Sequence, residues 1–245
     1  DQPYPFGPSD GGSDDNLSWD SGGDQELRRQ RLRSLWTILM LSRGVPMVVA
    51  GDEFGRTQNG NNNPWALDST AMRNNYAMIA TSAPQRVGIE DGTGAVYHDN
   101  LGVFDSRDER VNPLFRFTTF LMRLRGRHAC LRQAAWGDMA VGGDDVSYLF
   151  HAPTADGSPN EGDRALAIHI DAPDDGFWVM LNMTSDPVDF RVPEVDGDRA
   201  WRRLVDTAVG AEKEDNCWPE GEGEVVSDGV AVQPWSIVVW HRSPR

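Results

Sequence analysis

Between Gly51 and Asn63 the chain reads GDEFGRTQNGNNN. Asp52 and Glu53 supply two carboxylates and Arg56 a guanidinium. Asn61, Asn62 and Asn63 follow as three consecutive amides, and Asp68 adds another acid. Carboxylates accept hydrogen bonds, guanidinium donates them and amides do both. Gathered at one place, these side chains form the rim of a polar binding site. Each also has a plainer use. Asp52 and Glu53 can cap a turn or form ion pairs, and Arg56 can pair with Glu53. The asparagines can be turn formers, because Asn tolerates the left-handed backbone.

Such a rim needs a rigid element behind it. Val45 to Ala50 (VPMVVA) is continuously apolar, the pattern of a strand buried on both faces in a parallel sheet. Before it, Asp24 to Ser42 reads as a helix capped by Asp24. Leu27, Leu32, Leu35, Trp36, Leu39 and Met40 form its broad apolar side. Arg28, Arg29, Arg31 and Arg33 are expected on its wet face, and Gly44 stops it. Helix, turn, buried strand and polar loop make one unit of an α/β fold, in which sites lie at the C-terminal ends of strands. Residues 1–23 are rich in Gly, Pro, Ser and Asp and read as a long ordered loop anchored by Leu17 and Trp19. Residues 64–110 have little periodicity, with a short helix expected near 71–80. Residues 111–127 form a second amphipathic helix whose apolar face is Leu114, Phe115, Phe117, Phe120, Leu121 and Leu124.

From about residue 145 the pattern changes. VSYLFH, RALAIHID, GFWVMLNM, VDFRVP, WRRLVD and WSIVVWHR are short strand-like runs separated by Gly, Pro and Asp. They predict an antiparallel β-sandwich. The domain organisation expected is therefore 1–133 and 145–245.

The chain has 245 residues and a formal net charge of −15, which argues against nucleic acid and anionic membrane surfaces as partners. No apolar run approaches the ~20 residues of a membrane span. Two distant cysteines, Cys130 and Cys217, make no disulfide framework, so a reduced, cytoplasmic setting is expected. The five histidines show no metal-ligand spacing and read as structural or surface residues. No cofactor and no metal are expected.

The stretch DDNLSWDSGGDQELRRQRLRSLWTILMLSRGVPMVVAGDEFGRTQNGNNNPWALD, residues 14–68, resembles the isoamylase and glycogen-debranching branch of the α-amylase superfamily. The matching positions are Asn16, Ser18, Trp19, Asp20, Gly44, Pro46, Gly51, Asp52, Glu53, Phe54, Thr57, Asn61, Asn62, Asn63 and Asp68. RLVDTA (203–208) and QPWSIVVWHRS (233–243) are similar to the C-terminal β-domain of the same enzymes. Residues 69–110 depart from the pattern and read as an insertion.

The resemblance implies the end of a (β/α)8 barrel followed by a β-sandwich. Helix 24–42, strand 45–50 and helix 111–127 would be the seventh helix, eighth strand and eighth helix of that barrel. It also implies hydrolysis of α-1,6 branch linkages with retention, which needs two carboxyl groups about 5–5.5 Å apart. In the family these groups lie after earlier strands, so no catalytic residue is expected in this chain, which reads as a piece of a longer protein. The expected partners are a branched α-glucan (glycogen, amylopectin or limit dextrin) and the missing N-terminal part of the barrel. Glucan hydroxyls would pair with Asp52, Glu53, Arg56, Asn61, Asn62, Asn63 and Asp68. Trp19 and Trp65 would offer stacking faces. Two other readings stand beside this one: a non-catalytic glucan-binding or regulatory subunit, and an α-1,4-acting amylase or glucan transferase of the same superfamily.

Overall fold

A computed structural model describes residues 21–56, 73–80, 110–133, 146–195, 197–226 and 228–244, together with the backbone of 86–88 and 95–97. In chain order the elements are α1 (Gln25–Leu41), β1 (Arg86–Gly88), β2 (Ala95–Tyr97), α2 (Pro113–Arg127), β3 (Ser147–His151), β4 (Ala165–Asp171), β5 (Gly176–Asn182), β6 (Val188–Arg191), β7 (Arg199–Asp206), β8 (Val225–Val226), β9 (Gly229–Val232) and β10 (Ser236–Pro244). Short 3₁₀ turns lie at Asp52–Phe54, Tyr76–Ile79 and Val209–Glu214. No described helix is long and apolar enough to cross a membrane.

The chain divides into two compact units, Asp1–Arg28 with Met47–Arg116, and Arg29–Pro46 with Phe117–Arg245. Most of α1 and the second half of α2 belong with the β-sheet.

In that second unit a six-stranded sheet has the order β3-β4-β5-β10-β7-β8, and every pairing is antiparallel. A two-stranded ribbon, β6-β9, accompanies it. Phe190, Val192 and Val232 from the ribbon side pack with Ala167, Trp178, Met180, Val238 and Trp240 of the large sheet to form the core. Alternate residues of the same strands face the other way. There Ile168, Ile170, Val179 and Leu181 line an apolar cavity of about 360 Å³ with Ile38 and Leu41 of α1. With both faces covered, β5 can be FWVML without alternation, and its residues from Gly176 to Met180 are all buried.

Helix α1 is turned differently from the sequence reading. Arg29, Gln30, Arg33, Ser34 and Thr37 are buried, whereas Leu35 is 64% and Ile38 39% exposed. The arginine side is not wet, because Glu212 meets it. Arg29 donates twice to the Glu212 carboxylate, at 2.9 and 3.1 Å, and Arg33 Nη1 donates at 2.9 Å. Gln30 donates to the carbonyls of Pro234 and Trp235, Arg33 Nε to that of Thr207, and Ser34 shares a hydrogen bond with the Thr207 hydroxyl. Burial lowers the Arg33 guanidinium to about 10, against the pull of Glu212, so it remains charged at neutral pH. Arg125 of α2 donates to the carbonyls of Met40, Ser42 and Gly44, closing the orphan end of α1.

The expected strand at 45–50 is not formed. Residues 45–49 carry no regular structure, and Val45, Met47 and Val49 are 90%, 85% and 57% exposed. Among the described residues no parallel strand stands beside it. Without ladder partners, an apolar run cannot satisfy its backbone as a strand. The helix expected near 71–80 is the single 3₁₀ turn at Tyr76–Ile79, and the region read as an insertion contains the hairpin pair β1-β2.

Candidate functional site

The rim residues that lie within the described part are Asp52, Glu53 and Arg56. They sit on a turn flanked by two glycines in the left-handed region, Gly51 at φ 101° and Gly55 at φ 75°. A Cβ on Gly51 would stand 2.5 Å from Arg56 Cδ and 2.9 Å from Asn74 Oδ1, so the turn closes only with glycine there. Beneath it, Phe54 is fully buried and meets Tyr76 edge-on at 5.6 Å. Asn112, which no sequence pattern flagged, holds the turn from below. Its amide donates to the carbonyls of Phe54 and Met78, each at 3.0 Å. Its own oxygen accepts from the backbone N–H of Leu114 at 2.9 Å and so caps α2.

The charged groups mostly satisfy one another. Arg56 Nε donates to Asp52 at 3.1 Å, which takes the ion-pair reading with Asp52 as the carboxylate. Glu53 turns back to accept from the N–H of Gly51 at 2.7 Å. Asp52, half exposed, is the carboxylate presented outward. The turn is therefore a preorganised polar edge with Asp52 as its outward acceptor. Trp19, Asn61, Asn62, Asn63, Trp65 and Asp68 lie outside the described residues.

A second polar constellation was not legible in sequence spacing. His128 follows the end of α2, Asp175 ends the β4–β5 turn and His241 lies within β10. His128 Nδ1 donates to Asp175 Oδ2 at 2.8 Å, and His241 Nε2 donates to Oδ1 at 2.9 Å. The Cys130 thiol donates to Oδ2 at 3.2 Å, and the N–H of Gly176 to Oδ1 at 2.9 Å. Glu220 Oε2 stands 3.4 Å from the other nitrogen of His128. Burial pushes the Asp175 carboxyl up, but the hydrogen bonds from His128, His241 and Cys130 outweigh it and hold the group far below the ordinary range. Burial lowers His128, but Asp175 and Glu220 more than reverse this, and its value is raised. Burial and the Asp175 charge push the Cys130 thiol up, away from the reactive thiolate. Residues 128, 175 and 241 have no common spacing, so only the fold brings them together.

The sheet topology and the rim turn come together with what the chain resembles. The family model described as isoamylase, C-terminal, matches residues 151–234, the stretch from the end of β3 to just before β10. The chain belongs to the isoamylase and debranching branch of the α-amylase superfamily. It is 33% identical over 233 residues to an isoamylase of Flavobacterium sp, an alignment covering 93% of this chain and 26% of that protein. It is 28% identical over 239 residues to the isoamylase of Pseudomonas amyloderamosa, again 93% of this chain and 26% of the relative. The glycogen operon protein GlgX homolog of Mycobacterium tuberculosis is 26% identical over 201 residues, 78% of this chain and 27% of that protein. The chain thus spans about a quarter of the length of the curated relatives it matches.

Proposed function

We propose that this chain is the C-terminal part of a debranching enzyme that hydrolyses α-1,6 linkages of a branched α-glucan with retention. The observation that carries this reading is the alignment with isoamylases over 93% of the chain. A physical observation supports it. Leu35, Ile38, Val45, Met47 and Val49 are exposed. In this reading α1 and 45–50 are barrel elements, and these side chains face barrel strands and helices supplied by the rest of the enzyme.

The division of labour follows from the residues. Asp52 and Glu53 belong to one short turn in which Glu53 accepts from its own backbone and Asp52 from Arg56. They are not a facing pair with room for a glycosidic bond, so the acid and the nucleophile lie elsewhere in the enzyme. The role of this chain is to wall the cleft. The exposed Asp52 offers an acceptor to glucan hydroxyls, and in the same reading Asn61, Asn62, Asn63 and Asp68 also pair with them. Trp19 is a stacking face.

The 245-residue chain incubated with glycogen is expected to release no linear chains above background. The enzyme containing it is expected to release linear chains from glycogen and none from linear amylose, with the new reducing ends appearing first as α-anomers in proton NMR. Comparable products from amylose would replace this reading with the α-1,4-acting one.

A further inference from the structure

We propose that His128, Asp175 and His241 form a binding site for a divalent cation of the zinc class. The three side chains come from three separate elements, and one ligand atom from each lies within 4.8 Å of the others. Two imidazole nitrogens and one carboxylate oxygen are the donor set of a borderline cation rather than of magnesium or calcium, which prefer all-oxygen shells. Metal–ligand bonds of about 2.0–2.2 Å in a tetrahedral shell place the donors about 3.3 Å apart. The present nitrogen–oxygen separations, 2.8 and 2.9 Å, are those of N–H donors on a carboxylate. The two rings bond to different oxygens of Asp175, so seating an ion requires side-chain torsions that re-aim both nitrogens and one carboxylate oxygen, now within 4.8 Å of one another, at a common point.

The surroundings are those of a supported site. The side chains of His128 and His241 are each 10% exposed and that of Asp175 24%, so the ligands are held in the interior with an approach from the carboxylate side. Glu220, 3.4 Å from His128 Nε2, is placed to orient that ring from behind, as outer carboxylates orient metal-bound histidines. His241 Nδ1 is buried and has no hydrogen-bond partner among the described residues. The backbone of Asp175 is fixed by Arg242, which donates to its carbonyl at 2.6 Å. The ring of His128 meets Phe177 edge-on at 5.0 Å, which limits its rotation. On binding, each ring vacates the nitrogen that now faces Asp175: a protonated ring releases that proton to solvent, a neutral ring carries its single proton on the far nitrogen instead, and no electron changes hands.

The test uses the full 245-residue chain, stripped with chelator and titrated with Zn²⁺ alone by calorimetry and with Co²⁺ alone by visible spectroscopy. One ion per chain is expected, with the intense visible bands of four-coordinate cobalt. Asp175→Asn and His241→Gln, each checked for fold by circular dichroism, should weaken binding by more than about 100-fold, since even outer-shell changes cost about 10–100-fold. Cys130→Ser should change it by less than about 10-fold, because the serine hydroxyl keeps a donor to the same Asp175 oxygen. No stoichiometric binding, a six-coordinate cobalt spectrum, unchanged affinity in the folded Asp175 and His241 variants, or loss of binding in Cys130→Ser would each overturn the assignment. If either ligand variant fails to fold, the stoichiometry and cobalt spectrum of the parent chain still decide.

Discussion

Two runs of this chain have almost the same character. VPMVVA at 45–50 and FWVML at 177–181 are both continuously apolar, the first read as a strand buried on two faces and the second as a strand of the β-sandwich. One is the centre of a sheet, with β4 on one side and β10 on the other. The other has no regular structure, and Val45 and Met47 lie almost fully exposed. Both runs are apolar throughout, so apolar character does not separate them and neighbours do. Burial of apolar side chains drives folding only where the backbone groups buried with them find partners. The β-domain carries its partners within the chain, whereas the 45–50 segment has no ladder partner among the described residues.

The contrast is broken most directly by cutting into each run. Trp178→Ala, at a side chain 1% exposed, should cost about 3–5 kcal/mol by urea unfolding followed by tryptophan fluorescence. Val48→Ala in the other run should stay within about 0.5 kcal/mol. Equal losses would mean that 45–50 is packed after all.

Glu212→Ala should come close behind. It strands the buried guanidinium groups of Arg29 and Arg33, at a cost of about 3–5 kcal/mol in the same urea experiment. Glu212→Gln, which keeps an acceptor, should cost less. If the alanine variant is neutral, α1 is not held by this contact.

A smaller effect separates the two regions by pH. Burial, helped by Arg242 and His151 and opposed by Asp171, holds His169 of β4 below its ordinary value. The folded state therefore prefers the neutral ring, and the unfolded chain takes up the proton. The stability this gives is present above the ordinary value of about 6.5 and is lost as pH falls below it. Between neutral pH and about 5.5, the urea midpoint of the parent should fall more than that of His169→Gln. A parallel fall in both would remove His169 as the cause.

The smallest change is expected at the rim. The Asp52–Arg56 pair is partly exposed, so Asp52→Asn should shift stability by no more than about 1 kcal/mol. In the enzyme that contains the chain, the same change should raise KM for glycogen more than it lowers kcat. A fall in kcat alone would move Asp52 from binding into chemistry.

The strands of the β-domain were legible because their alternation, length and turn residues all agreed; β3, β4, β5, β6, β7 and β10 lie where the runs predict. The short β8 and β9 were missed, for two- and four-residue strands carry too little pattern to stand out. Helix α1 was found but its orientation was not. Periodicity marks the apolar stripe, yet it cannot see that Glu212, some 180 residues later, will take Arg29 and Arg33 into the interior. The rim was half legible. GDEFG announces a tight turn at a polar edge, but its mate Asn112 is just another asparagine until the fold sets it beneath Phe54. The cluster around Asp175 was not legible at all, since residues 128, 175 and 241 meet only across the folded sheet.

The grip of Gln30 on the carbonyls of Pro234 and Trp235 has a consequence in time. Those bonds span 204 and 205 residues. At the ribosome's pace of about 5–20 residues per second, α1 waits roughly 10–40 s between its own emergence and that of its anchor. For most of that interval, until Glu212 emerges, Arg29 and Arg33 lack the carboxylate they meet in the fold. Vectorial synthesis thus leaves the helix as an orphan of the nascent chain, dependent on chaperones or on earlier-made parts of the same polypeptide until its anchor arrives.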